Sequence, residues 1–282
     1  MRALRVSLVQ MEARDSVASN LARAAALAAE AAVGSDLVIL PEYVQYRGLA
    51  SGFRVSAAAV PGPTTASFAA VAAAHGCYVL AGSHAELSGD PARPYNTAVL
   101  FDRSGALVAT YRKLHLFDVS VDEGPSDLES ERVTPGDRAV VASVDGFGLG
   151  MAICYDLRFP ELFRALSLAG AEMLALPAVF TARTGRDHWE PLVRARAIEN
   201  GAYVLAAGAC GAGGPGAIPA WGHSMVVDPW GRVIAQAGDS EEILRAELDL
   251  DLVSAARRQI PALANRRPDA LPPLRDVERV GF

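Results

Sequence analysis

The stretch GLGMAICYDLRFPEL, residues 148–162, decides how the chain is read. An apolar run closes on Cys154, the polar turn YDLR follows, and Pro160 opens the next segment. Proline is tolerated in the first turn of a helix, and Glu161 beside it suits the positive end of the helix dipole. The helical pattern PELFRALSLAGA (160–171) leads to a second apolar run, EMLALPAVF (172–180). A strand–helix–strand unit of this kind pairs its strands in parallel. Just upstream, AVVASVDGFGLGM (139–151) reads as two strands turning at DGFG.

A second unit of the same plan opens the chain. LRVSLVQ (4–10) is a short apolar strand, and SVASNLARAAALAAEAAV (16–33) is a helix that Asp15 can cap and Gly34 can end. DLVILPE (36–42) is a fully apolar strand stopped by Pro41. TTASFAAVAAAHG (64–76) is a further helix and CYVLAGSHAEL (77–87) a further strand. NTAVLFD (96–102) and LVATYRKL (107–114) form a meander around RSGA. Each unit holds a strand ending in Leu-Pro, VILPE (38–42) and LALPA (174–178). The plan predicts an α/β fold of two stacked sheets with helices outside, its halves related by a pseudo-twofold axis.

From about Phe117 to Asp137 the chain is polar and broken by Pro and Gly, and loops that long are often functional. DHWEPLVRARAIEN (187–200) predicts a helix with a capping box of Asp187 and Glu190. AYVLAAGAC (202–210) is a buried strand, AGGPGAIPAWGHS (212–224) a glycine-rich loop, and MVVDPWGRVIAQAG (225–238) a hairpin turning at DPWG. From about residue 253 the chain is basic and proline-bearing and reads as an external arm. No linker splits the sequence, so residues 1–282 read as one domain.

Composition narrows the function. A chain of 282 residues that is 51% hydrophobic can bury a large core. The net charge is −6, with acids and bases interspersed, which gives no block for a nucleic acid or a membrane surface. Three cysteines without a CxxC pair make neither a disulfide framework nor a zinc site. No apolar run approaches the ~20 residues of a membrane span, and the N-terminus lacks a signal-peptide pattern. These features predict a cytoplasmic protein with reduced thiols and no metal.

A lone cysteine is by default core. At a strand end before a helix, Cys154 can instead face a cleft, where the N–H groups of the turn offer an oxyanion site and the helix dipole favours thiolate. A thiol nucleophile also needs a base and a donor for the oxyanion. Of the five histidines, His75 ends a helix, His84 follows a strand and reads as surface, and His188 lies in a first helical turn. His115 and His223 sit beside strands and can reach a cleft, but neither has the local setting of a Cys–His enzyme. The other route uses Glu42 and Lys113. Glu42 directly follows a buried strand, where open α/β sheets place their sites, or it is a solvated loop residue. Lys113 lies in an apolar strand and is a site cation or a snorkelling side chain.

Taken in order, LVILPE, YRKLHLFD and GMAICYDLRFPEL, followed by HWEPLVRARAIEN, AWGHSMVVDPWG and NRRPD, resemble the nitrilase superfamily of carbon–nitrogen hydrolases. They look like the branch that holds the omega-amidases and deaminated-glutathione amidases. The resemblance implies a four-layer α-β-β-α sandwich and an amidase that needs no cofactor. It implies Glu42 as base, Cys154 as the nucleophile that forms a thioester, and Lys113 with the Tyr155 backbone N–H as oxyanion donors. It also implies a second glutamate ahead of the TPGD turn, matched by Glu129, which would position the amide –NH₂ and Lys113; the neighbouring Glu123 and Glu131 read as solvated. Arg158 would bind the distal carboxylate of the substrate, or else form a salt bridge to Glu161 or Asp156. Phe180 and Thr181 would line the pocket.

The same resemblance implies a homodimer or higher homo-oligomer paired through outer helices, with Ala165, Leu166, Leu168 and Ala169 on faces that meet the partner. The substrate expected first is a small carboxylate-bearing amide such as 2-oxoglutaramate. Deaminated glutathione comes next, then other aliphatic amides or nitriles, with a non-catalytic scaffold as the alternative of another class. The loop YVQYRGLASGF (43–53) departs from both amidase groups. Cys77 and Cys210 read as small core residues, Trp189 and Trp230 as packing, and Arg194, Arg196 and Glu199 as a structural ion-pair network. Asn96 and Tyr111 flank the lysine strand and read as residues that order the site.

Overall fold

A computed structural model describes residues 2–120, 126–267 and 277–281 of the chain. In chain order the first half runs β1 (Ala3–Gln10), α1 (Val17–Ala32), β2 (Leu37–Ile39), α2 (Ala50–Val55), α3 (Ala66–His75), β3 (Tyr78–Glu86), β4 (Tyr95–Phe101) and β5 (Leu107–Arg112). A small hairpin follows, β6 (Asp118–Ser120) and β7 (Ser126–Leu128), and leads into a 3₁₀ turn at Glu129–Glu131. The second half runs β8 (Ala139–Val144), β9 (Phe147–Met151), α4 (Pro160–Leu168), β10 (Ala171–Ala178), α5 (Ala182–Asn200), β11 (Tyr203–Gly208), β12 (Met225–Val227) and β13 (Val233–Gln236). It is followed by β14 (Glu242–Asp249), α6 (Asp251–Gln259) and β15 (Val277–Val280).

The strands form two large sheets, ordered β14-β1-β2-β3-β4-β5 and β13-β12-β11-β10-β9-β8-β15. Each contains three parallel strands joined by helices, β1-β2-β3 in one and β9-β10-β11 in the other. An antiparallel strand flanks each triple on one side, β14 or β8, and an antiparallel pair flanks it on the other, β4-β5 or β12-β13. The two Leu-Pro strands, β2 and β10, are the middle strands of their triples. The repeat read from the sequence is therefore a repeat of topology.

Alternation along the strands builds the layers. Leu37 and Ile39 of β2 join the large core shared with the second sheet, while Val38 and Leu40 pack with Ala24, Ala28, Phe68 and Ala72 of α1 and α3. Both faces of these strands are covered, which is why they read as continuous apolar runs. On the far side, Phe163 and Leu166 of α4 and Trp189 and Val193 of α5 pack onto the second sheet. The chain is thus a mixed α/β sandwich with helices outside two facing sheets. The turn between β8 and β9 has positive φ at both Asp145 and Gly146, the two-residue hairpin geometry that Asp-Gly favours.

Several local expectations change. The cap of α1 is Ser16, whose side chain accepts the Ser19 N–H, rather than Asp15. Helix α5 starts at Ala182, capped by Thr181, whose hydroxyl accepts the Thr184 N–H. Asp187 and Glu190 therefore lie inside α5 with Pro191, and His188 is beyond its first turn. His84 is not on the surface. It lies within β3, fully buried, with Nδ1 3.0 Å from Gln45 Oε1, and burial lowers its pKa to about 4. The C-terminal stretch docks in part. Val253 and Ala256 of α6 are buried, and β15 adds a parallel edge strand to β8. Ala165 and Leu166 are buried within the protomer, which removes them from an outer face, whereas Leu168 is exposed. Among the described residues no helix is long and apolar enough to cross a membrane.

Candidate active site

Four chain segments converge at one end of the sandwich. Glu42 follows β2 through Leu40 and Pro41, and Lys113 directly follows β5. Cys154 begins a 3₁₀ turn, Cys154–Arg158, three residues after β9. Val179 follows β10. The first sheet thus supplies the carboxylate and the ammonium, and the second supplies the thiol.

Cys154 has a φ of +47°, the left-handed region that a non-glycine residue enters only at a cost. The turn is fixed from below by Asp156, which is fully buried. Its carboxylate accepts from the Ile153 N–H (2.8 Å), the Tyr111 hydroxyl (2.7 Å) and the His115 N–H (3.1 Å), and it lies 2.7 Å from His115 Nδ1. Asp156 therefore binds β5 of one sheet to the cysteine turn of the other. Tyr155 is the second residue of that turn, where N–H groups have no partner within the turn itself.

Glu42 is 1% exposed and Lys113 2%. Glu42 Oε1 accepts from Lys113 Nζ at 3.0 Å and from Asn96 Nδ2 at 2.8 Å, and Oε2 accepts the Val179 N–H at 2.7 Å. Lys113 Nζ also lies 3.1 and 2.9 Å from the two carboxylate oxygens of Glu129, itself 1% exposed. Glu129 accepts as well from the Tyr43 hydroxyl (2.5 Å) and the Phe117 N–H (2.6 Å). Cys154 Sγ sits 3.5 Å from Val179 O.

Burial opposes the charge on Lys113, but Glu129 and Glu42 outweigh it and hold its pKa well above the ordinary lysine value. Burial likewise opposes the charge on Glu129, and Lys113 together with the Tyr43 and Phe117 donors outweighs it, so Glu129 stays an anion. Cys154 differs from expectation. Burial and the Glu42 charge push its pKa well above the ordinary thiol value, and Lys113 offsets them only in part. Burial therefore favours the protonated thiol over a thiolate held by the helix dipole.

These groups line a cavity of about 300 Å³. Its walls include Tyr155, Arg158, Phe180 and Thr181, so every residue to which the resemblance gave a catalytic or binding role borders one space. Arg158 makes no ion pair with Asp156 or Glu161; its guanidinium lies 5.1 Å from the Phe180 ring centre and 3.3 Å from His188 Nδ1. Glu131 is exposed, and Glu123 lies outside the described residues. Thr181 serves both the wall and the cap of α5. His115 is engaged by Asp156, and His223 pairs with Asp239.

The cavity also has walls the sequence did not single out. Tyr43 carries no periodicity or motif signal beyond its place after Glu42. Arg47, 4% exposed, donates to Cys210 O (2.8 Å) and Ile218 O (2.9 Å), so it fastens the glycine-rich loop. Val179 acts through backbone atoms, which a side-chain motif cannot reveal. Among the described residues no group of three or more His, Cys, Asp or Glu side chains is arranged to hold a metal ion.

Comparison with known proteins agrees with this geometry. The carbon-nitrogen hydrolase family model matches residues 5–258. An omega-amidase of Mus musculus is 37% identical over 270 residues, covering 95% of this chain and 97% of that protein. A deaminated glutathione amidase of Synechocystis is 40% identical over 263 residues, covering 92% of this chain and 96% of that one. Among solved structures, the C. elegans NitFhit protein superposes with a TM-score of 0.86 at 35% identity, covering 96% of this chain and 66% of that chain. An amidase from Nesterenkonia superposes with a TM-score of 0.78 at 26% identity, covering 94% of each chain. That structure carries the acetamide moiety of fluoroacetamide covalently added at its active-site cysteine.

Proposed function

The chain belongs to the carbon–nitrogen hydrolase family and is an omega-amidase-like amidase, a hydrolase of carbon–nitrogen bonds other than peptide bonds; from that premise we propose that Cys154 is its nucleophile and Glu42 its base. The observation that carries the assignment is the burial of Glu42, Lys113, Glu129 and Cys154 on the wall of one cavity. With its pKa raised, the thiol gives its proton to Glu42 as sulfur attacks the amide carbon. The oxyanion is met by the Lys113 ammonium and the Tyr155 backbone N–H. Glu42 returns the proton to the departing nitrogen, ammonia leaves, and a thioester remains. A water that gives its proton to Glu42 attacks the thioester, the acid leaves, and the thiol regains its proton. Glu129 holds Lys113 for this work.

The substrate is a small amide with a distal carboxylate. Arg158 supports this reading, because a guanidinium in a cavity wall that pairs with neither Asp156 nor Glu161 suits a carboxylate through two parallel hydrogen bonds. The preferred substrate is 2-oxoglutaramate; deaminated glutathione is the second reading, favoured by the Synechocystis relative. We further propose a cytoplasmic homodimer or higher homo-oligomer, paired near Leu168 of α4 and Ile198 of α5, which are 44% and 55% exposed.

The test is hydrolysis of 2-oxoglutaramate, deaminated glutathione and a neutral amide of similar size by the wild-type, Cys154→Ala and Arg158→Lys proteins. Cys154→Ala should have no turnover, and full activity in it would sink the mechanism. Arg158→Lys should lose at least ~10-fold in kcat/KM on the acidic substrate, since lysine offers a point charge in place of a fork. It should lose less on the neutral amide. Equal losses on both would remove Arg158 from substrate recognition.

A further inference from the structure

Glu129 is held through both of its carboxylate oxygens. Oε1 accepts from Tyr43 and Lys113, and Oε2 accepts from Lys113 and the Phe117 N–H. Two buried carboxylates, Glu42 and Glu129, share the single buried ammonium of Lys113. One negative charge in this cluster is therefore in excess, and burying it needs strong donors. Among the described residues, Tyr43 is the one side-chain hydroxyl that donates to Glu129.

The chain invests conformational strain in placing that hydroxyl. Tyr43 has a φ of +55°, in the left-handed region. Its N–H is held by Ser83 Oγ at 3.0 Å, and its ring packs edge-on against Phe53 with centres 5.0 Å apart. Strained residues of this kind concentrate at functional sites.

We propose that Tyr43 is a positioning residue of the reaction: its phenol keeps Glu129 ionised and aligned, so that Glu129 can hold Lys113 at the oxyanion. This rests on the roles given above to Lys113 and Glu129. The phenol is suited to the task, because burial and the Glu129 charge hold its own pKa well above the ordinary tyrosine value and it stays a donor throughout the working range. The charged and titratable groups that face this cluster are Lys113, Glu42, Cys154, and Arg132 with its partner Asp127.

The consequence is a pH effect with a definite sign. The Tyr43 donor helps hold the Glu129 pKa down, so its loss raises that pKa. Glu129 then protonates at a higher pH, and a neutral Glu129 holds Lys113 poorly. Tyr43→Phe keeps the ring and its packing. It should move the acid limb of kcat/KM upward by about 1–2 pH units, the worth of one charge-assisted hydrogen bond, and leave the rate on the alkaline side near wild type, because the activity follows the ionised fraction. A structural role alone would lower the rate by one factor at every pH.

The experiment is the pH profile of kcat and KM for wild type, Tyr43→Phe and Glu129→Gln, with thermal melts of each. An acid limb displaced upward in Tyr43→Phe, with a folded Glu129→Gln inactive at every pH, supports the proposal. A Tyr43→Phe profile parallel to wild type, with Glu129→Gln inactive, overturns the proposal and leaves the catalytic assignment standing. An active Glu129→Gln overturns both the proposal and the role of Glu129 on which it rests.

Discussion

At the scale of single residues, the site works by holding opposite charges away from bulk solvent. Glu42 is restrained by Lys113, Asn96 and the Val179 N–H, so it meets the thiol in one orientation. Glu42→Gln keeps these contacts nearly in shape and loses the proton acceptor. It should cut kcat by ~10²–10⁴-fold with a smaller change in KM, the usual worth of a positioned base. Lys113→Met removes the oxyanion donor and leaves two buried carboxylates facing each other. It should lose at least ~10²-fold in kcat. Steady-state kinetics on the preferred amide reads both, and a near wild-type kcat in either variant would remove that residue from the mechanism. Glu42, Lys113, Glu129 and Cys154 were legible because each lies in a local pattern with a fixed order. Tyr43 was not, because its role comes from a backbone turn to positive φ and a contact 86 positions along the chain. The upward shift of the Cys154 thiol was also hidden, since the sequence displays the helix start but not the depth of burial.

At the scale of elements, apolar runs and Leu-Pro stops placed the strands, and polar spacing misled about one helix start. Asp187 and Glu190 have the spacing of a capping box, but three residues is also the separation of neighbours on any helix face. Thr181 provides the true cap of α5, since its hydroxyl accepts the Thr184 N–H directly after β10 and Val179-Phe180. The two readings make opposite demands on stability. Thr181→Ala should destabilise the fold by about 1 kcal/mol, as loss of a helix cap does. Asp187, exposed in the helix interior, should change stability by no more than about 0.5 kcal/mol when replaced by alanine. Urea unfolding of both variants decides between them. The reverse order of effects would restore a helix start at Asp187. His84 shows the same limit. Its position in a strand was clear, but a polar residue near a strand end gives no sign of whether the next loop folds over it, and here Gln45 does.

At the scale of the whole molecule, the repeat of two strand triples explains why a site forms where it does. Each triple brings its middle Leu-Pro strand to the same end of the sandwich, so Glu42 follows β2 and Val179 follows β10. The repeat was legible because both Leu-Pro pairs survive in sequence, although β10 runs one residue past its proline. The register that presses one sheet on the other was not, because it depends on side chains such as Tyr111 reaching across. Tyr111, fully buried on β5 of the first sheet, donates to Asp156 under the cysteine turn of the second, and its oxygen also lies 3.3 Å from the Leu114 N. Tyr111→Phe keeps the ring and leaves a buried carboxylate short of a donor, which costs about 1–3 kcal/mol. For a chain somewhat above 250 residues each kcal/mol lowers Tm by roughly 2–4 °C, so a melt should show a clear loss. The same change loosens the turn that carries Cys154, so kcat should fall while KM moves little. A variant with lower Tm and unchanged kcat would mean that Asp156 needs only Ile153 and His115 to hold the nucleophile. A variant unchanged in both would mean that the sheets are registered by apolar packing alone.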